Sequence, residues 1–413
     1  MWTDADEVCE SEIAWFETGK MEEPWKGKWI CSDLNDQHPW FEKEVSVEGE
    51  IRRARLYISG LGLYEAYLNG KKIGEEYLAP YSNDYNLWIQ YQTFDVGKML
   101  RQGDNELSVL LGNGWYKGRF GLEAETRPDH LYGDRFLLIG ELVIEYADGR
   151  VEIVATDESW RARKSSFYEG EVYDETFSED RTYPVKIYDK AMAPLRERLS
   201  LPILAEEKLL PTRVIHTPKD ELVLDLGQNH SGIFLLKVHE PRGAKLKLYF
   251  GEELQDGCFY NGNLRTGKQE YTYISDGSER VIRPHFTSYG YRYVKLEGFT
   301  NFEKEDYTGL VLYSQLEQTG HLTTGNALVN RLAQNALWGQ KSNFLDVPMD
   351  CPQRDERMGW TGDAQVFTPT ACYNMDCYAF YRKYLYDMYE EQKERNGAVP
   401  FCVPACGQTR SSA

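Results

Sequence analysis

The residues best suited to chemistry lie close together between Asp350 and Asp363. This short stretch holds four carboxylates, two arginines and one tryptophan, and its proline and glycines favour a loop over a helix. A pyranose sugar needs acceptors for neighbouring hydroxyls, an apolar plate for its C–H face, and a carboxyl group that donates a proton or activates water. The composition therefore indicates a carbohydrate site.

The same residues allow a second interpretation. Arg354 and Arg357 can neutralise the neighbouring carboxylates, which would make the segment an ordinary surface loop of paired charges. An indole is costly to leave on a flexible loop unless it stacks on a ligand or anchors a core. Trp360 therefore favours a sugar site, although it is also compatible with a core anchor.

Helical periodicity flanks this loop on both sides. Apolar residues four apart predict an amphipathic helix over residues 326–344, with Thr324 or Asn326 as its cap. A second helix is predicted over residues 376–395, with Asp376 as its cap. The candidate site is thus expected on a loop between two helices.

Upstream of the helices the sequence alternates in the manner of β-strands. Turn pairs such as Asn69-Gly70 and Asp148-Gly149 separate short apolar runs between about residues 29 and 163. Prolines make residues 184–211 a linker or a boundary strand. A second block of separate strands is predicted at residues 222–226, 233–238, 245–250, 270–274 and 291–296. These patterns predict two β-sandwiches followed by helices.

The run from Asp346 to Asp363 resembles the catalytic-domain signature of bacterial α-L-rhamnosidases, glycoside hydrolase family 78. Residues 111–116 are similar to the N-terminal sandwich of that family, and residues 225–229 and 289–293 are similar to its concanavalin-like domain. The resemblance covers nearly the whole chain from about residue 30.

The resemblance implies a multidomain chain of two β-sandwiches and an all-α (α/α)₆ barrel of six helical hairpins. It divides the chain into an N-terminal lead-in (1–29), an N-terminal β-sandwich (30–195), a concanavalin-like β-sandwich (196–312) and the first part of the catalytic domain (313–413).

Such a barrel needs twelve helices, whereas the 101 residues from 313 to 413 have room for about five or six. We therefore expect a barrel that is incomplete and truncated within the catalytic domain. Its helices are expected to expose apolar side chains, namely Tyr378, Tyr381, Leu385 and Met388.

The family consists of inverting glycosidases that release terminal α-L-rhamnose, which implies a general acid and a general base. By motif position the acid is Glu356, and the resemblance places Asp350, Arg354, Trp360 and Asp363 around the sugar. The residue that matches the family's base would lie beyond the last residue, so this chain is expected to lack it. An internal pair of Asp350 and Glu356 stays open, because an extended loop can separate them suitably.

Two other functions compete with an α-L-rhamnosidase. One is a non-catalytic carbohydrate-binding protein that keeps the sugar contacts without turnover, and the other is an (α/α)₆ glycosidase of different sugar specificity. Trp115 and Tyr116 offer an accessory sugar platform, although buried sandwich anchors are the interpretation that we favour.

The composition also bears on partners and location. Lys and Arg number 47 against 66 Asp and Glu, and the net charge of −19 disfavours nucleic acid and anionic membranes. The acidic start lacks a leader pattern, no run has the length of a membrane span, and eight sparse cysteines indicate reduced thiols, so a cytoplasmic protein is expected. We expect no cofactor and no metal. The expected partners are L-rhamnose-containing glycosides, with either a separate C-terminal half or a second copy of the chain.

Overall fold

The computed structural model describes residues 13–14, 16–35, 37–119, 121, 131–168 and 171–405. The predictions for the acidic start, for Cys9 and for Cys406 concern residues outside these ranges. Strands dominate up to residue 314, and the long helices follow.

The first strands, in chain order, are β1 (Ile30–Cys31), β2 (Gln37–Val47), β3 (Ile51–Leu61), β4 (Leu63–Leu68), β5 (Lys71–Lys72), β6 (Ile89–Asp95), β7 (Gly103–Gly112), β8 (Leu137–Tyr146), β9 (Val151–Ala155), β10 (Arg161–Tyr168), β11 (Val172–Asp174), β12 (Tyr183–Pro184), β13 (Lys186–Ile187) and β14 (Leu195–Glu197). A single helical turn, α1 (Gly114–Lys117), follows β7.

The remaining strands are β15 (Ile203–Leu209), β16 (Arg213–His216), β17 (Leu222–Val238), β18 (Lys245–Gly251), β19 (Glu253–Gln255), β20 (Cys258–Tyr260), β21 (Glu270–Ile274), β22 (Arg280–Ile282), β23 (Tyr289–Glu297), β24 (Tyr307–Ser314), β25 (Phe344–Leu345) and β26 (Val347–Pro348). The long helices are α2 (Ala327–Asn343), α3 (Thr361–Asn374) and α4 (Tyr378–Glu394).

Two sheets enclose the core of the first sandwich. One sheet has the strand order β13-β1-β8-β3-β6-β14, and the other contributes β10-β2-β7-β4-β5. Between them lies an apolar core in which Phe41, Leu56, Val109 and Leu142 are at most 1% exposed. Alternate residues of each strand point into this core, which is why the period of two in the sequence predicts these strands.

The two predicted hairpin turns are confirmed. Asn69 and Gly70 have φ angles of 52° and 76°, as a type I′ turn requires, and they join β4 to β5. Gly149 has a φ angle of 89° in the turn between β8 and β9.

The second sandwich shares a sheet with the first. β11 pairs in parallel with β21, with Val172 opposite Thr272, so one sheet runs through both strand blocks in the order β15-β24-β17-β23-β18-β21-β11-β10-β2-β7-β4-β5. The predicted linker over residues 184–211 is not uniformly irregular. It contributes short edge strands: β13 pairs with β1, β14 with β6, and β15 with β24.

The prediction of two separate strands at residues 222–226 and 233–238 was wrong. They form the single strand β17, whose pairing with β23 shifts register between Asp225 and His230. At this bulge the Gly227 N–H donates to Asp225 Oδ1 at 2.8 Å, and Arg292 Nε donates to the same oxygen at 2.8 Å. Burial opposes ionisation of Asp225, but hydrogen bonds from Arg292 and Arg213 outweigh it and lower its pKa to about 2.

Helix α2 confirms the prediction for residues 326–344, and Asn326 caps it by accepting from Leu328 N at 2.9 Å. Helix α4 begins at Tyr378, with Cys377 rather than Asp376 at the cap position. Helix α3 was not predicted, because Gly362 and Pro369 interrupt its pattern. Within the described ranges the C-terminal segment holds three long helices, fewer than the five or six for which it has room. The β25–β26 hairpin and the loops before α3 and after α4 occupy the remaining residues.

The predicted exposure of apolar residues is confirmed in part. On α4, Tyr378 and Leu385 are exposed, whereas Tyr381 and Met388 are half-buried against the core. On α2, Leu328 and Leu332 are 80% and 68% exposed. None of the helices in the described ranges is both long and apolar enough to cross a membrane.

Lys383 joins the helices to the first sandwich through a buried charge cluster. Its Nζ lies 2.7 Å from Asp346 Oδ2 and 2.9 Å from Asp387 Oδ2, and it donates to Ser82 O at 2.6 Å. Trp88 Nε1 donates to Asp387 Oδ1 at 2.9 Å. Burial raises the pKa of Asp387 to about 6 despite the adjacent ammonium group. One buried cation therefore neutralises two carboxylates only in part.

Replacing Lys383 by methionine should destabilise the chain by about 3–5 kcal/mol, because two buried carboxylates lose their cation. Chemical denaturation measures this loss. Lys393→Met is the matched control, since Lys393 is 46% exposed and pairs with Glu390 on the surface of the same helix. Lys393→Met should lower the free energy of unfolding by less than about 0.5 kcal/mol. Equal losses of stability in the two variants would contradict the role given to Lys383.

Replacing Asp225 by asparagine should lower the free energy of unfolding by about 1–2 kcal/mol near neutral pH. This value is kept small because the arginines that pair with Asp225 are partly exposed to solvent. Because the folded pKa is lowered from 3.8 to about 2, this stabilisation is present above pH 4 and is lost as the pH falls towards 2. Unfolding free energies of both chains should therefore converge in acid. A difference that is independent of pH would contradict the ionic contribution.

Candidate active-site loop

The loop that carries the predicted site residues is closed on itself and framed by short strands. The β25–β26 hairpin leads into it, the Asp350 N–H donates to Met358 O at 2.9 Å, and helix α3 begins at Thr361. Cys351 and Arg357 have φ angles of 57° and 56°, a conformation that few residues other than glycine adopt. The loop prediction is therefore confirmed up to Trp360 and wrong for the last residues, which form the first turn of α3.

Glu356 is buried in this loop, at 4% exposure, and three donors reach its carboxylate. Trp360 Nε1 donates to Oε1 at 2.9 Å, Arg354 Nη2 donates to Oε2 at 3.1 Å, and Arg265 Nη1 lies 3.4 Å from the same oxygen. Charge-assisted hydrogen bonds of this kind hold a carboxylate in one orientation. Both oxygens of the glutamate carboxylate thus have donors that fix them.

Arg354 links Glu356 to Asp350 through a thiol. Its Nη2 donates to Cys351 Sγ at 2.8 Å, and Cys351 Sγ donates to Asp350 Oδ2 at 3.1 Å. Burial raises the pKa of Cys351 to about 12, so the thiol keeps its proton and acts as a donor. The chain of contacts orders Asp350, Arg354 and Glu356 as one unit.

Donor atoms of Asp350, Cys351 and Glu356 lie within 4.8 Å of one another, as metal ligands do. The Arg354 guanidinium, however, already contacts both Cys351 and Glu356. A positive charge in that position disfavours a second cation, so the donor set does not indicate a metal site.

The separation of the two carboxylates bears on the stereochemistry of hydrolysis. An inverting glycosidase keeps its acid and base roughly 6.5–9.5 Å apart to admit a water molecule. The oxygens of Asp350 and Glu356 approach within 4.8 Å. The geometry therefore argues against the internal pair that the sequence left open.

Asp363 lies apart from this group. It is exposed in the first turn of α3, and among the described residues neither a hydrogen bond nor an ion pair joins it to Glu356. The structure therefore brings together Glu356, Asp350, Arg354 and Trp360 of the five predicted residues. Their roles towards a sugar stay predictions.

Both sandwiches support the loop from outside. Thr266 of the second sandwich donates to Asp355, Arg357 Nη2 donates to Ser288 O at 3.0 Å, and the Gly121 N–H of the first sandwich donates to Glu356 O at 3.1 Å. The sequence did not indicate Arg265, Thr266 or Gly121 as partners of the loop. Each lies far from the loop in the chain, so no nearby sequence pattern connects it to the loop.

The alternative of a surface loop with paired charges is only partly right. Arg354 does pair with Glu356, but Arg357 binds a backbone carbonyl and Glu356 is buried. Elsewhere, Tyr116 is 6% exposed and Trp115 is half-buried, which confirms our preference for sandwich anchors. The six described cysteines are free of disulfides, as predicted.

Three family models match successive parts of the sequence. The alpha-L-rhamnosidase N-terminal domain matches residues 49–222, and the bacterial alpha-L-rhamnosidase concanavalin-like domain matches residues 215–313. The bacterial alpha-L-rhamnosidase 6 hairpin glycosidase domain matches residues 317–413.

Curated relatives extend this similarity along the chain. An α-L-rhamnosidase from Alteromonas sp. (strain LOR) is 35% identical over 95% of this chain and 46% of its own length. One from Streptomyces avermitilis is 38% identical over 87% of this chain and 36% of its own length. The chain thus spans less than half the length of the curated relatives that it matches.

Solved structures share the fold. The Streptomyces avermitilis α-L-rhamnosidase complexed with L-rhamnose superimposes with a TM-score of 0.85 at 34% identity, over 92% of this chain and 38% of that one. Native α-L-rhamnosidase from Aspergillus terreus gives a TM-score of 0.88 at 30% identity, over 92% of this chain and 47% of that one. The predicted fold class is confirmed: two β-sandwiches, the second concanavalin-like, followed by helices that do not complete a barrel within the described residues.

Replacing Gly290 by alanine should displace the loop and destabilise the chain by about 1–3 kcal/mol. A Cβ there would lie 2.7 Å from the Cβ of Gln353 and 2.9 Å from its Cα, so loop backbone must shift. Gly339→Ala is the control, because its Cβ meets nothing within 4 Å on α2. That variant should gain up to about 1 kcal/mol from helix propensity. Thermal and denaturant unfolding test both, and a neutral Gly290→Ala would refute the close packing.

Proposed function

Because the chain belongs to the bacterial α-L-rhamnosidase family, we propose that it takes part in hydrolysis of terminal α-L-rhamnosides, with Glu356 as the general acid. The observation that carries this proposal is the buried Glu356 carboxyl, held by Trp360 Nε1 at 2.9 Å and by Arg354 Nη2 at 3.1 Å. A carboxyl group fixed in this way can deliver its proton to one glycosidic oxygen without reorganising.

The neighbouring residues receive the binding roles. Asp350 accepts hydrogen bonds from sugar hydroxyls, and Arg354 orients both carboxylates through the contacts already described. The half-buried indole of Trp360 packs against the C–H face and methyl group of rhamnose. Asp363 binds a hydroxyl only if the glycoside extends to the first turn of α3, where this side chain is exposed.

The general base is proposed to come from outside the described residues. Asp350 approaches Glu356 too closely for an inverting pair, and the chain covers only 46% of its Alteromonas relative. A separate C-terminal half of the six-hairpin domain would supply the base and cover the exposed Leu328 and Leu332 of α2. Association of two copies of the chain is the competing arrangement.

The same short carboxylate separation favours a second candidate, a carbohydrate-binding protein that holds the sugar without cleaving it. Such a protein keeps the contacts of Asp350 and Trp360 but has no use for a proton donor.

The decisive experiment assays the 413-residue chain on an aryl α-L-rhamnoside and measures L-rhamnose binding by calorimetry. We expect binding without turnover by the chain alone. Turnover should appear when a polypeptide that carries the rest of the six-hairpin domain is added. In that mixture Glu356→Gln should lower kcat by about 10²–10⁴-fold, whereas Lys393→Met should leave it unchanged.

Other results would contradict parts of the proposal. Turnover by the chain alone that Glu356→Gln abolishes would place a base within these residues. Binding of rhamnose with no turnover in any mixture would favour the binding protein. Absence of both binding and turnover would refute the rhamnoside assignment.

A further inference from the structure

Arg265 extends from the second sandwich to the carboxylate of Glu356. Its Nη1 lies 3.4 Å from Glu356 Oε2, and its side chain remains 37% exposed. The backbone of Arg265 has a φ angle of 56°, which costs free energy for a side chain of this size. A strained residue whose charge meets a buried acid suggests that the position is functional.

The segment that carries Arg265 is fixed against the loop. Leu264 is 2% exposed and anchors the segment, and the Gly267 N–H donates to Leu264 O at 3.0 Å. Thr266 donates to Asp355, and Arg119 Nη2 of the first sandwich donates to Thr266 Oγ1 at 3.2 Å. The guanidinium of Arg265 is therefore held near the acid by structured neighbours on both sides of it.

The charges around Glu356 come from three elements. Its own loop contributes the Asp350 carboxylate, the Arg354 guanidinium and the protonated Cys351 thiol. The segment that pairs with Trp360 contributes Cys402, whose pKa burial and Glu356 raise to about 12. The second sandwich contributes Arg265. Arg265 is thus the cation that the second sandwich brings to the carboxylate of Glu356.

This cation matters at the moment of proton transfer. When Glu356 gives its proton to the leaving oxygen, negative charge develops on its carboxyl group, and a fixed cation nearby stabilises that charge. Because this stabilisation is realised in the transition state, the loss of Arg265 is expected to lower kcat rather than raise KM.

We infer that Arg265 is a positioning residue, supplied by the concanavalin-like sandwich, that holds the carboxyl group of Glu356 in place for proton delivery. The catalytic part of this inference rests on the proposed function, whereas the contact itself concerns the 413-residue chain alone. In this arrangement the second sandwich contributes a side chain directly to the site.

The test follows the Glu356 carboxyl directly, without substrate. Carbon NMR of the full chain, labelled at glutamate carboxyls, gives its signal at neutral pH, and the signal is assigned by its loss in Glu356→Gln. In Arg265→Gln this signal should shift, because the carboxyl group loses a charged donor. Arg265→Lys retains the charge and should return the signal to the parent position. Arg119→Gln, which removes a nearby cation that donates to Thr266, should leave the signal at the parent position.

Activity provides the second readout. In the complemented enzyme, Arg265→Gln should lower kcat severalfold with KM little changed, and Arg265→Lys should restore most of the lost kcat. Circular dichroism checks folding, and Arg265→Met replaces the glutamine variant if that variant does not fold.

The two proposals fail in different ways. An unchanged Glu356 carboxyl signal in Arg265→Gln would overturn the inference about Arg265, even if Glu356→Gln abolishes turnover. A shifted signal in a chain that never hydrolyses rhamnosides would leave the contact standing and refute the function. A shift that Arg265→Lys does not reverse would also overturn the inference, because the charge would not be its cause.

Discussion

The buried ammonium group of Lys383 is the interaction on which the arrangement of the helices depends. It lies between Asp346, where the chain turns towards the candidate loop, and Asp387 of α4, and it also binds the backbone of Ser82 in the first sandwich. A buried charge tolerates little displacement, because every lost partner exposes a desolvation penalty of several kcal/mol. Three distant parts of the chain are thereby held at one point. Because the candidate loop begins four residues after Asp346, the contacts of Lys383 also fix the position of that loop.

The candidate site is composite in the same sense. Its chemical groups stand on one loop, but the loop does not hold its own shape, since Cys351 and Arg357 have left-handed backbones. The second sandwich supplies the restraint through Ser288 and Thr266. The sandwiches thus form a surface against which the strained loop is held.

The sequence predicts those features that depend on near neighbours. Asn69-Gly70 demands positive φ angles, and Asn326 offers an oxygen to the first free N–H groups of α2, so both appear as expected. The sequence does not predict helix α3, because Gly362 and Pro369 disfavour a helix that tertiary packing nevertheless stabilises. The sequence does not predict the contact of Arg265 either, because no neighbouring residue in the chain indicates a partner 91 positions away. The family signature points to Glu356 and its loop, whereas the partners that the fold brings to them can be found only from coordinates.

The parallel pairing of β11 with β21 couples the folding of the two sandwiches. β11 belongs to the first strand block, yet it forms the edge on which the second block completes its sheet. β11 can pair with β10 at once, but a chain leaving the ribosome must keep the other edge of β11 unpaired until β21, about a hundred residues later, emerges. A cut between the blocks would leave an unpaired strand edge on each piece. The two sandwiches are expected to be inherited, expressed and unfolded as one cooperative body rather than exchanged as separate modules.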